Sequence, residues 1–215
     1  MLAGIRAALA AGPAPLPPAP DWAAPVHPPL PAGVPLAEVF AANFQRIGGE
    51  FFYCETLTRL GTTLRSWLAE RLPAGAGRLY VWEPAMQRLL GSAGVPFEAG
   101  QDGFIDEAAA GLTSCAALVA RTGSVLLGSA TASGRQLSIY PEQHLVLARP
   151  SQVVPDIADA LLAAQARPGA ALPSMLSLTT GPSRTADIEK TLVLGAHGPR
   201  RLTLVLLEDG ADNLA

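Results

Sequence analysis

Ser-Leu-Thr-Thr-Gly-Pro-Ser-Arg-Thr-Ala-Asp-Ile-Glu-Lys-Thr-Leu-Val-Leu-Gly-Ala-His-Gly-Pro-Arg-Arg-Leu-Thr-Leu-Val-Leu-Leu-Glu, residues 177–208, decides how this chain is read. Two apolar runs, 175–178 and 202–207, bracket a polar segment that holds Arg184, Asp187, Glu189, Lys190 and His197. Gly181-Pro182 and Gly198-Pro199 supply turns within it. Short apolar runs bounded by Gly and Pro have the pattern of buried strands. Polar groups gathered on turns at strand ends are how α/β proteins build sites, because the sheet holds the loops while leaving them accessible.

Outward from there, the chain alternates. Residues 35–46 place Leu36, Val39, Phe40 and Phe44 at helical spacing and end at Gly48-Gly49. Residues 51–54 fit a strand, and Thr56 caps a helix whose stripe is Leu57, Leu60, Leu64, Trp67, Leu68 and Leu72. A strand at 79–82, a helix at 84–90 and a brief strand at 95–97 follow. Residues 111–128 predict a strand or two broken at Thr122-Gly123-Ser124. Residues 144–148 predict another strand, and 155–165 a helix stopped by Pro168-Gly169. Such rotation predicts an α/β fold with a mostly parallel sheet flanked by helices. Residues 1–12 read as a short amphipathic helix and 209–215 as a frayed tail. Residues 13–35 carry ten of the 20 prolines and read as an extended arm or linker, with Trp22 and His27 in it. That leaves 36–208 as the α/β domain.

Composition narrows the function. The 215 residues carry a net charge of −3, which offers no field to attract nucleic acid or an anionic membrane. Mean hydropathy is positive at +0.29, yet no run reaches the roughly 18 apolar residues of a membrane span. Neither a signal-peptide plan nor a disulfide framework is present: Cys54 and Cys115 read as two reduced, buried thiols. These features predict a cytoplasmic location with no membrane span and no nucleic-acid partner.

Chemistry concentrates in three places. The turn Thr122-Gly123-Ser124 offers hydroxyls and a close backbone approach, although Thr-Gly-Ser is also an ordinary hairpin connection. Gly181, Ser183, Arg184 and Thr185 form the second. Ser183 or Thr185 can cap a helical turn, whereas the Arg184 fork suits carboxylate or phosphate. The third is His197, lodged in a turn and read as facing Asp187 and Glu189, a candidate acid/base set. Arg135, in a Ser/Gly-rich loop, joins the ligand-binding candidates. The three histidines are too dispersed for a metal site.

Residues 177–199, together with Val119-Ala120-Arg121-Thr122-Gly123-Ser124, closely resemble the signatures of the LUD-domain family, of its lactate-utilisation C type. The resemblance spans roughly residues 36–208, and Ile5-Arg6-Ala7-Ala8-Leu9 resembles the short opening helix of that family. It implies a NagB/RpiA/CoA-transferase-like fold and participation in the conversion of L-lactate to pyruvate, with iron–sulfur clusters in partner subunits. No cofactor is then expected in this chain, since two distant cysteines fall short of four thiolates. One departure stands out: Arg121 occupies the place of the family's usual Glu. Either the chain lacks that carboxylate's step or uses Asp187 or Glu189 instead, or its site prefers a more anionic ligand.

The resulting expectation is an accessory component of an L-lactate oxidising system that binds a small anion. The alternatives are a stand-alone enzyme of the same superfold (sugar-phosphate isomerase, CoA-transferase or folate cyclo-ligase type) and a purely structural subunit. The residues leave open whether the chain catalyses a reaction, and whether it forms a homo-oligomer.

Overall fold

The computed structural model describes residues 2–10, 18–19, 21, 27–72, 77–166, 173–185 and 193–211. Two compact units are present, Met1–Leu30 and Pro31–Ala215. In the first, helix α1 (Leu2–Ala10) presents Leu2, Ile5 and Leu9 to solvent. Trp22 lies outside the described residues, and His27 is exposed.

The second unit begins with α2 (Leu36–Arg46), β1 (Glu50–Cys54), α3 (Leu57–Arg71), β2 (Arg78–Tyr80), α4 (Pro84–Ser92) and α5 (Phe104–Glu107). It continues with β3 (Ala108–Thr113), β4 (Ala117–Val119), β5 (Ser124–Gly128), β6 (Gln143–Ala148), β7 (Val153–Val154) and α6 (Ile157–Gln165). It closes with β8 (Leu176–Thr179), β9 (Arg184–Thr185), β10 (Val193–Leu194) and β11 (Arg201–Leu207). Local signals start the helices where expected. Thr56 Oγ1 accepts from Arg59 N at 3.1 Å at the head of α3, and Asp156 caps α6 while Asp159 bonds back to the Asp156 amide.

The main sheet is five-stranded and parallel, in the order β1-β11-β6-β3-β2. Side chains alternate across it. Leu112, Leu145, Leu147, Val205 and Leu207 pack with Leu60, Leu64 and Trp67 of α3 and Leu90 of α4. On the other face, Phe51 meets Phe40 of α2, and Tyr80 and Trp82 cluster with Phe104 and Leu137. A mixed α/β fold with a mostly parallel central sheet flanked by helices is thus what the sequence predicts and what the chain forms.

Three details differ from expectation. A second, four-stranded sheet, β7-β4-β5-β8, is antiparallel except where β4 meets β7, and packs its apolar side on α6. Residues 95–97 form no strand. That segment contributes a single bridge, Tyr80 to Glu98, because only Glu98 N (to Leu79 O) and Val81 N (to Glu98 O) align. Past β11, Asp209 is held rather than frayed, accepting from Ser151 N at 3.0 Å and Ser151 Oγ at 2.8 Å, and Ala211 is buried.

Candidate functional site

β8 leads through Thr180, Gly181 and Pro182 to Ser183, whose backbone is clamped on both sides. Ser183 N donates to Pro199 O at 2.9 Å, and Ser183 O accepts from Gly195 N at 3.0 Å. Those two bonds tie β9 to the 195–199 turn, so Ser183 and His197 share one wall. Gly181, Ser183, Arg184 and His197 line one cleft of about 350 Å³, floored by His144 and Leu202. His144 and Leu202 are the second residues of their strands, which puts the cleft at the N-terminal end of the parallel sheet.

Arg184 has a structural duty as well. Its Nη2 donates to Ile47 O at 2.7 Å, at the C-terminus of α2, where a cation complements the helix dipole. This occupies one of five guanidinium donors. Thr185 pairs with Val193 in the hairpin. Asp187 and Glu189 lie outside the described residues, so of the proposed acid/base set only His197 is placed, exposed in its turn.

The turn at 122–124 joins β4 to β5 as a hairpin. Its hydroxyls are engaged with each other. Ser124, fully buried, sits 2.7 Å from Thr122 Oγ1 and 2.8 Å from Thr180 Oγ1. Gly123, at φ +65°, lies so close to α2 that a Cβ would come within 2.5 Å of Phe44 N. The turn therefore backs the cleft through Thr180 and does not line it. Arg121 turns away to Asp156, Nε to Oδ2 at 2.7 Å, and Asn43 Nδ2 holds the carbonyls of Ala120 and Arg121 at 2.8 and 3.1 Å. Arg135 donates to Ser174 Oγ at 3.0 Å, outside the cleft lining.

Sequence reasoning missed a second polar centre, at the C-terminal ends of β2 and β3. Glu83, only 8% exposed, accepts from Ser114 N at 3.0 Å, Ser114 Oγ at 2.5 Å and Ser133 Oγ at 2.7 Å. The signal available was a Glu directly after the apolar run 79–82 and before Pro84, the position where an α/β strand hands over to its helix. Beside it, His144 Nε2 pairs with Thr113 Oγ1 at 2.9 Å, and full burial lowers the His144 pKa to about 4, so its ring is neutral. Thr113, Ser114 and Ser133 line a cavity of about 50 Å³ that shares Ser138 with the larger cleft. It has room for water and little else.

The larger cleft thus offers hydroxyl, imidazole and guanidinium groups to an anion. Among the described residues, no three His, Cys, Asp or Glu side chains converge as metal ligands, and no helix is long and apolar enough to cross a membrane.

Residues 104–207 match the family model of the LUD domain. Lactate utilization protein C of Geobacillus sp. (strain WCH70) is 34% identical over 108 residues, covering 49% of this chain and 45% of that protein. Lactate utilization protein C of Geobacillus kaustophilus (strain HTA426) is 30% identical over 148 residues, 68% of this chain and 57% of that protein. Protein YkgG of Escherichia coli (strain K12) is 40% identical over 90 residues, 41% of this chain and 39% of that protein. The chain spans about half the length of the curated relatives it matches. Among solved structures, the crystal structure of a DUF162 family protein from Deinococcus radiodurans shares the fold. The TM-score is 0.55 over 80% of this chain and 96% of that chain, at 21% identity. The LUD-domain match thus runs from α5 to the end of β11, and over that region the chain is similar to the LUD-domain family.

Proposed function

We propose that this chain is a component of an L-lactate utilisation system and binds an organic anion in the Ser183–Arg184–His197 cleft. One observation carries the binding role: Ser183, Arg184 and His197 of the C-terminal signature line one solvent-open cleft. The names of the relatives, lactate utilization protein C, supply the pathway. In the cleft, Ser183 donates a hydrogen bond, and Arg184 supplies fixed positive charge near the anion while capping α2. His197 donates from its ring. Oxidation of L-lactate to pyruvate releases two electrons and two protons. In this proposal the electrons pass to iron–sulfur clusters in partner subunits, since Cys54 and Cys115, both buried, are the only thiols here.

Two measurements test the proposal. Disrupting the gene is expected to abolish growth on L-lactate, restored by the intact gene; unimpaired growth would remove the pathway assignment. The purified chain is expected to melt at a higher temperature with excess L-lactate or pyruvate. Saturation at a hundred times Kd corresponds to about 2.7 kcal/mol. Ser183→Ala combined with His197→Ala should lose that shift while keeping the unliganded melting temperature. A shift that survives the double substitution would place the anion elsewhere.

A further inference from the structure

The cleft does not end at His197. A second hollow of about 300 Å³, lined by Tyr140, Glu142 and Arg200, continues from it and shares Ile139, His197 and Gly198. Pockets for drug-sized ligands measure roughly 300–1,000 Å³, so the first hollow alone, at about 350 Å³, already exceeds the needs of a three-carbon acid. The outer hollow also differs in character. Tyr140 is 61% exposed and Ile139 47% exposed, beside the charged Glu142 and Arg200. Tyr140 is moreover the outermost ring of an anchored aromatic cluster. Its ring lies 6.0 Å from Phe104, which packs on Trp82 at 4.7 Å and on Tyr80 at 5.3 Å in the core. Such backing holds a ring in place before a ligand arrives and lowers the ordering cost of stacking on it. Arg200 and Glu142, whose ion pair is loose at 3.5 Å and exposed, put one charge of each sign along the same wall.

Building on the anion-binding reading of the cleft, we propose that its ligand is a ring-bearing organic anion of about nucleotide size. The anionic group sits between Ser183 and His197, and the planar ring lies on Tyr140 over Ile139. A flat π-face on an exposed tyrosine accepts many ring systems, and stacking of this kind contributes about tenfold or more in affinity. The proposal therefore names a ligand class, ring plus anion, and not one metabolite.

Matched probes separate the ring from the charge. Calorimetric titration with methyl phosphate, phenyl phosphate and adenosine monophosphate is expected to show the two ring-bearing anions binding at least tenfold more tightly than methyl phosphate. Tyr140→Ala should erase that difference and leave methyl phosphate binding unchanged, whereas Tyr140→Phe should keep it. Because Tyr140 is exposed, a circular-dichroism melt is expected to show both variants folded. Equal affinity for methyl and phenyl phosphate, or a difference that survives Tyr140→Ala, overturns the ring assignment while leaving the anion site intact. Failure of all three phosphates and of L-lactate to bind removes the anion site itself. A concentration-dependent dimer that Tyr140→Ala dissociates, with no advantage for the ring-bearing probes, would assign the patch to contact between copies and also overturn the proposal.

Discussion

Glu83 is a carboxylate buried with no cation among its described partners; three donors from Ser114 and Ser133 take the place of solvent. A buried donor that loses its acceptor costs more than the bond was worth. Glu83→Ala strands an amide and two hydroxyls, and is expected to lower stability by about 3 kcal/mol in urea unfolding. Glu83→Gln keeps an acceptor oxygen and should cost less than half as much. Equal losses for the two substitutions would contradict the hydrogen-bond account. At this scale the sequence was only partly legible. Arg184 and His197 stood out because charge on a Gly-Pro turn is visible in a string of letters. That Thr122, Ser124 and Thr180 spend their hydroxyls on one another was not visible, because that depends on distances of 2.7 and 2.8 Å across two strands.

Among the elements, α2 acts as the platform on which the site's parts are mounted. The carbonyl of its C-cap, Ile47, receives Arg184, its Asn43 holds the 120–121 carbonyls, and its Phe44 backbone meets Gly123. Gly123→Ala therefore combines a left-handed backbone with a clash at 2.5 Å. It is expected to destabilise by about 3 kcal/mol, from strain and overpacking together. Gly134→Ala is the control: φ is +56° there, but nothing lies within 4 Å of the added carbon, so strain alone should cost about 1 kcal/mol. Chemical denaturation of both variants measures the difference, and equal costs would show that packing against α2 is irrelevant. Helices α2, α3, α4 and α6 and strands β1, β6 and β11 were legible to within a few residues, because stripes such as Leu60, Leu64 and Trp67 and caps such as Thr56 are local; α5 was not, and β3 ran on into β4. Of the second sheet, β8 and the break between β4 and β5 at Thr122-Gly123-Ser124 were legible, but β7 and the pairing into a separate sheet were not. Its strands run two to five residues, and β4 and β5 are buried on both faces and so lack the alternation that marks a strand.

For the molecule as a whole, His144 links acidity to stability. Its pKa is about 4 in the folded chain against 6.5 when solvated, so the unfolded chain binds the extra proton between those values. His144 contributes fully above pH 6.5, loses its contribution as pH falls from 6.5 to 4, and adds no further slope below. The whole effect is about 3 kcal/mol. Urea unfolding across pH 4–8 is expected to show that slope, and His144→Gln, which retains a group able to reach Thr113, should flatten it by that amount. An unchanged slope would mean that the ring is wetter than its burial indicates. Fold class was legible at this scale because strand and helix rotate. Strand order was not, since nothing local specifies that the first and last strands of the sheet lie side by side.

That adjacency governs how the molecule comes into being. β1 has β11 as its neighbour in the sheet, and Glu50 meets Thr203 across 153 positions of sequence. A chain emerging from the ribosome therefore carries β1 with an unfilled side until β11 has been made, and edges of that kind invite association with other chains. The seam can close only once β11 itself has been made, and until then that side of β1 is open to other chains.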